Sequence, residues 1–103
     1  MNMQKLMKEA QKAQRQMAEA QDKLASMSVE GSAGGGLVTV TATGDGSVTG
    51  VKIDPSSVDP DDVELLEDLV TAAVGEAQRK AKELQESELG SAMGGLGGLG
   101  GMF

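Results

Sequence analysis

The apolar residues of the first 27 positions recur at the spacing of one helix face. The stretch has no Gly or Pro, and its apolar residues follow one another at intervals of three and four. They are Met3, Leu6, Ala10, Ala13, Met17, Ala20, Leu24 and Met27. This heptad pattern predicts one long helix over residues 3–27 with an apolar stripe, which we call the seam. A stripe of this kind is typical of a helix that packs on its own core or on a partner helix.

Residues 28–53 have the pattern of strands. Between residues 37 and 43, apolar residues alternate with Thr, and β-branched side chains dominate. The Gly-Asp-Gly sequence at 44–46 then predicts a hairpin turn, because Gly adopts positive φ without strain. We expect a return strand over residues 47–53 and a short strand near residues 29–30. The sequence therefore predicts an antiparallel sheet of about three strands.

A second helix is predicted from Asp59 onward. Asp59 is suited to the N-cap position and Pro60 to the first helical position. Residues 63–74 are apolar over a wide face, as is needed to cover a sheet, and beyond Gly75 the apolar stripe narrows. We expect the first half of this helix to lie on the sheet and the second half to project as far as about Glu88. Gly75 is unfavourable inside a helix, so it predicts a bend or a close helix approach.

The scarcity of bulky side chains bears on the fold class. Residues 89–103 include seven Gly and predict a disordered tail, which leaves residues 1–88 as the single folded domain. The only aromatic residue is Phe103, at the end of that tail. A chain of this size with so few large apolar side chains buries little surface by itself. We therefore predict an α+β homodimer with a long N-terminal helix, a small antiparallel sheet and a long C-terminal helix.

The composition excludes several classes of function. Without Cys or His, the chain has no thiol nucleophile, no imidazole base and none of the commonest zinc ligands. The acids between Asp54 and Glu64 lack the ligand spacing of a calcium loop and suit helix capping instead. We expect no enzymatic activity, no cofactor and no metal. No apolar run is long enough to cross a membrane or to act as a secretion signal, which predicts a cytoplasmic protein.

Basic residues are concentrated on the first helix, although the chain has 16 acidic and 9 basic residues and a net charge of −7. Four of them recur at intervals of three and four, about 160° from the centre of the seam. They are Lys5, Lys8, Lys12 and Arg15, and we call them the basic ridge. The ridge is about 15 Å long. It predicts a contact with phosphate groups, and an ordinary solvated helix face is the alternative interpretation.

Arg79 and Lys82 on the second helix form a smaller candidate contact, beside Lys80. Glu83 and Glu86 dilute their charge, so solvation of the surface explains them at least as well. The kind of nucleic acid follows from the composition, because single-strand binders stack bases on aromatic side chains that this chain lacks. We expect contact with the backbone of a duplex and little sequence preference.

Four short motifs occur in order along residues 3–88. They are Leu6-Met-Lys-Glu-Ala-Gln11, Gly31-Ser-Ala-Gly-Gly-Gly-Leu-Val38, Ile53-Asp-Pro55, and Leu66-Glu-Asp-Leu-Val70 with Ala73 and Ala77 in phase. Together they resemble the YbaB/EbfC family of bacterial nucleoid-associated proteins. The resemblance implies a homodimer whose sheet-centred core carries protruding helices like tweezers. It also implies that duplex DNA is held by those helices, in a role linked to the nucleoid or to recombination.

These observations predict a protein of the cytoplasm and nucleoid that binds double-stranded DNA as a homodimer, mainly through backbone phosphates. A rival hypothesis is a scaffold that recruits replication or recombination proteins and binds DNA only incidentally. The acidic balance favours this rival, because net negative charge opposes contact with DNA. We expect the ridge to prevail, because exposed charges more than about 8 Å apart are largely screened at physiological salt.

Overall fold

The computed structural model describes residues 2–93 and confirms the α+β class. In the order of these residues along the chain, a small sheet lies between two long helices. The elements are α1 (Met3–Ser26), β1 (Ser28–Ala33), β2 (Val38–Thr43), β3 (Val48–Ile53), a 3-10 turn (Pro55–Ser57) and α2 (Val63–Met93). None of the helices in this part of the chain is both long and apolar enough to cross a membrane.

Helix α1 begins and ends where local hydrogen bonding directs it. The side chain of Asn2 accepts hydrogen bonds from the backbone N–H groups of Gln4 (3.0 Å) and Lys5 (3.4 Å), which satisfies two donors of the first turn. At the other end, the backbone of Met27 is extended, and the chain passes directly into β1. The predicted helix over residues 3–27 is therefore confirmed to within one residue.

The sheet is antiparallel throughout, in the order β1-β2-β3. Three consecutive glycines, Gly34 to Gly36, have positive φ and form the turn from β1 to β2, whereas Gly46 has positive φ in the turn from β2 to β3. Directly opposite residues of an antiparallel pair share one face. One face consequently carries the small and apolar side chains of all three strands, and the other face is rich in Ser and Thr. The apolar face is formed by Val29, Gly31, Ala33, Val38, Val40, Ala42, Val48, Val51 and Ile53.

Helix α2 covers the β1 and β2 part of this apolar face by crossing β1 at Gly31. A Cβ atom on Gly31 would lie 2.9 Å from Cα of Ala77, and closer still to the backbone of Ala73. The absence of a side chain thus lets the helix backbone rest directly on the strand. The core is formed where they meet, from small residues: Val38, Val40, Ala42, Ala73 and Ala77. Val38 and Val40 are the largest side chains that are fully buried in the described residues.

Three sequence-based expectations for α2 need correction. Asp62, not Asp59, caps the helix: its carboxylate accepts from the N–H of Leu65 at 3.2 Å, while Asp59 closes the preceding turn by accepting from the N–H of Asp61. The wide apolar face of residues 63–74 is only partly covered, because the close approach at Gly31 places the buried stretch around Ala73, Ala77 and Ala81. Gly75 is exposed and does not mark a close helix approach, since a Cβ there would meet nothing within 4 Å.

Helix α2 also continues five residues beyond its predicted end at Glu88, as far as Met93. It thereby includes the first residues of the predicted tail, 89–93. The remainder of that tail, residues 94–103, lies outside the described residues, and so does the disorder predicted for it. The division of the chain at residue 88 stays a prediction.

The outer parts of the two helices form a projection that we call the arm, made of α1 and residues 81–93 of α2. Lys23 of α1 pairs with Glu88 of α2 at 3.1 Å, and Ala20, Leu24 and Ala81 are buried. The radius of gyration is 19.7 Å, whereas a compact domain of 100 residues has about 13 Å. The fold is therefore elongated, at 70 × 25 × 16 Å.

The two glycines Gly31 and Gly75 provide a matched test of this packing. Gly31→Ala should destabilise the protein by about 1–3 kcal/mol, because the added methyl group meets helix backbone that cannot move aside easily. Gly75→Ala should stabilise it by about 0.5–1 kcal/mol, since the site is open and Ala is the better helix former. Urea denaturation of both variants measures the two changes. Equal effects of the two substitutions would contradict the crossing described here.

Candidate nucleic-acid interface

The basic ridge lies on the solvent side of α1, as the sequence predicts. Lys5, Lys8, Lys12 and Arg15 are all exposed, and within the described part of the chain none of them has a carboxylate within 4 Å. The helix that holds them is continuous, so their relative positions are fixed by its pitch. Four cations are thus presented in one line with their charge uncompensated by neighbouring carboxylates.

The outer half of α1 has few contacts with the rest of the protomer. Every residue from Asn2 to Gln11 is exposed, and the seam is exposed there as well, with Met3 at 72% and Leu6 at 45%. The seam is buried only at its inner end, at Ala20 and Leu24. The ridge therefore occupies a part of the arm that large ligands can approach from several directions.

The basic residues of α2 are in a different electrostatic state. Arg79 pairs with Glu83 and Lys80 with Glu76, both at 3.2 Å and one helical turn apart. Lys82 is exposed and has no such partner among the described residues. Of the two α2 residues predicted to contact DNA, Lys82 thus has no paired carboxylate in the described part of the chain, whereas the charge of Arg79 is partly neutralised by Glu83.

The ridge and the α2 cluster lie at opposite ends of the arm. Gly44, at the edge of the sheet, packs against the backbone of Leu24 and accepts a hydrogen bond from Gln85 at 3.0 Å. Residue numbers therefore increase toward the sheet along α1 and decrease toward the sheet along α2. Arg15 is on the far side of the Lys23–Glu88 pair and Lys82 is on the near side, about 20 Å apart along the arm. The structure therefore brings the four ridge residues together and leaves Lys82 separate from them.

An exposed apolar surface on the sheet was not predicted from the sequence. Val48, Val51 and Ile53 share the core face of the sheet, yet α2 covers only β1 and β2, so these three side chains are 37–48% exposed. Val63 and Leu65, at the start of α2, are about half exposed too. The alternation in β3 indicated an apolar face, but only the position of α2 shows that this face is uncovered.

The carboxylates with shifted pKa have structural partners. The Thr43 hydroxyl and the Ser47 backbone N–H lower the pKa of Asp45, and the backbone N–H of Ser56 lowers that of Asp54. The pKa of Glu76 is lowered chiefly by its hydrogen bond with Lys80. A general acid at neutral pH needs the opposite shift. Among the described residues, no group of three or more acidic side chains has the geometry of a metal site.

Sequence comparison matches the chain to known proteins. A family model for the YbaB/EbfC DNA-binding family matches residues 1–96. A nucleoid-associated protein of Saccharopolyspora erythraea is 53% identical over 98% of this chain and 90% of its own length. A nucleoid-associated protein of Ruminiclostridium cellulolyticum is 52% identical over 99% of this chain and 89% of its own length.

A solved structure has a similar fold. The crystal structure of an uncharacterized protein from Helicobacter pylori matches 84% of this chain and 91% of its own chain, with a TM-score of 0.75. The sequences are 20% identical, so the match concerns the fold alone.

Proposed function

The chain belongs to the YbaB/EbfC DNA-binding family, and from that premise we propose that it binds duplex DNA as a homodimer through the basic ridge. The observation that supports the proposal most is the uncompensated line of Lys5, Lys8, Lys12 and Arg15 on the exposed half of α1. Phosphates are the contacted groups, and bases contribute little. The resulting role is that of a nucleoid-associated protein, located at the nucleoid, without enzymatic activity.

Contact with phosphates follows from the chemistry of the ridge. Lys and Arg side chains on a helix neutralise backbone phosphates and release condensed counterions, which gives affinity without sequence dependence. Base stacking requires aromatic side chains, and the only one in the chain is Phe103. Gln4 and Gln11 flank the ridge and have side chains that could hydrogen-bond base edges. Sequence preference should therefore be weak.

Dimerisation is supported by the apolar surface of β3. A face that contains Val48, Val51 and Ile53 is left uncovered in the protomer, beside a core whose largest fully buried residue is Val. Small domains of this kind gain stability by covering such a face with a second copy. A two-fold pair would carry two arms and two ridges, eight positive charges in all. The exposed outer seam of α1 supplies further apolar surface to the same assembly.

A second candidate function is a scaffold for replication or recombination proteins. It is favoured by residues 54–68, which hold seven of the 16 acids and no basic residue, next to exposed Val58, Val63 and Leu65. An acidic rim around apolar side chains suits a basic protein partner. In that case DNA binding would be incidental, and removal of the ridge charges would leave the main function intact.

Removal of the ridge charges tests the DNA proposal. A variant in which Lys5, Lys8 and Lys12 are all replaced with Gln should bind duplexes of unrelated sequence more weakly, and by the same factor for each. The slope of log K against log salt should shrink by about 0.9 for each phosphate that the variant no longer neutralises. Fluorescence anisotropy at several salt concentrations gives both quantities.

The matched control replaces Lys23, Lys52 and Lys80 with Gln. This control has the same net charge as the ridge variant, so a general charge effect would appear equally in both. We expect the control to keep the wild-type salt slope. If the ridge variant also keeps it, the ridge is not the DNA-binding surface, and the pair Arg79→Gln and Lys82→Gln becomes the next variant to measure.

The dimer proposal is tested with two neighbouring residues of β3 that face opposite sides of the sheet. Val51→Glu would place a carboxylate on the apolar face of each copy and should weaken the dimer by at least about 100-fold, because burial of an unpaired charge costs several kcal/mol. Lys52→Glu, on the Thr-rich face, should leave the dimer intact. Sedimentation equilibrium measures both, with circular dichroism to verify folding. A wild-type protein that is monomeric at micromolar concentration would contradict the proposal.

A further inference from the structure

The basic ridge is part of a longer line of charges along α1 that changes sign. Six exposed residues follow one another at intervals of three and four, on one outward face of the helix: Lys5, Lys8, Lys12, Arg15, Glu19 and Asp22. The first four are cationic and the last two are anionic. We call this line the outer track. The sign changes between Arg15 and Glu19, one helical turn apart.

The inner part of the track is acidic without compensation. Glu19 and Asp22 have no Lys or Arg within 4 Å among the described residues. The basic residue on the inner side of these two acids, Lys23, is held by Glu88 at 3.1 Å and is thus directed toward α2. A phosphate that approaches the inner half of α1 would therefore meet two carboxylates and no available cation.

A shallow hollow marks the boundary. Lys12, Arg15, Gln16 and Glu19 line a surface depression of about 230 Å³. Two cations stand on its outer side and a carboxylate on its inner side. A phosphate could be accepted at the outer side, whereas Glu19 would repel the next one along the helix.

The acidic residues near the sheet also repel DNA. Residues 54–68 carry a charge of −7, which equals the net charge of the whole chain, so the rest of the chain has nine acids and nine basic residues. This acidic segment includes the start of α2, which lies beyond the crossing at Ala73 and Ala77, whereas the later residue Gln85 lies on the side of the arm and the ridge. The unbroken line of cations on α1 is thus confined to the outer half of the arm.

We propose that Glu19 and Asp22 set the inner limit of the DNA contact, so that the duplex is gripped by the outer half of the arm and held away from the sheet. The proposal rests on the proposed function, since it assumes that the ridge binds phosphates. The ridge spans about 15 Å, which corresponds to about 4 base pairs of B-DNA per arm at 3.4 Å per pair. The two carboxylates determine the position of the duplex on the arm.

The first experiment measures affinity after the two acids are neutralised. Glu19→Gln with Asp22→Asn should tighten duplex binding by at least about threefold at low salt, and the gain should shrink at high salt because exposed charges are screened. The control, Asp61→Asn with Asp68→Asn, changes the net charge equally at exposed positions of the acidic segment. It should raise the affinity less. Equal gains in both variants would mean that only net charge matters and would overturn the proposal.

The second experiment locates the duplex on the helix. Because the chain has no Cys, a single Cys that carries a photo-crosslinker reports one position only. A probe at Gln11→Cys, beside the ridge, should crosslink strongly to the duplex. A probe at Ser26→Cys, which continues the outer track inward, should crosslink weakly. In the background of Glu19→Gln with Asp22→Asn, crosslinking from position 26 should increase at least about twofold.

The outcomes separate this inference from the proposed function. Strong crosslinking at position 26 in the otherwise unchanged protein would refute the inner limit while leaving the ridge as the DNA-binding surface. Absence of crosslinking at position 11, together with an unchanged salt slope in the ridge variant, would refute the proposed function itself. Weak crosslinking at position 26 that does not increase after neutralisation would show that shape, not the two carboxylates, keeps the duplex out, and would overturn the inference.

Discussion

The contact of α2 with Gly31 determines the arrangement of the whole protomer. Because no side chain separates helix from strand there, α2 rests on β1 and β2 and cannot also cover β3. The line that α2 takes across the sheet carries its last turns past the sheet edge, where Lys23 and Glu88 join it to α1. One close backbone contact thus accounts for the small core, the uncovered apolar strand and the projecting arm.

Charge is distributed along this elongated body in a way that the net value conceals. The acidic segment 54–68 lies at the start of α2, where Asp59 and Asp62 are engaged with backbone N–H groups. The basic ridge lies on the part of α1 that is remote from the sheet. Screening over about 8 Å allows each end to act independently. A protein with net charge −7 can therefore present a cationic surface to DNA.

The sequence predicted the elements whose pattern is local and missed the features that depend on crossing geometry. The heptad of α1, the alternation in β2 and the Gly46 turn each follow from neighbouring residues, and the structure confirms them. The start of α2 was misplaced because Asp59 and Asp62 are both competent caps, and tertiary context selects the second. A close helix approach was expected at Gly75 and is found at Gly31, since only the path of α2 distinguishes a glycine under a helix from one facing solvent. The ridge and the dilution of the α2 cluster by Glu83 both follow from spacing, whereas only the structure shows that Glu83 pairs with Arg79 and not with Lys82.

DNA is expected to contact the outer half of α1 and not the body of the protein. Titration of the isotope-labelled protein with a short duplex, followed through its backbone amide resonances, locates this contact. The largest shifts should fall between residues 4 and 16 and fade toward Asp22, with residues 54–68 nearly unchanged. Shifts concentrated around Arg79 and Lys82, or within residues 54–68, would contradict this expectation.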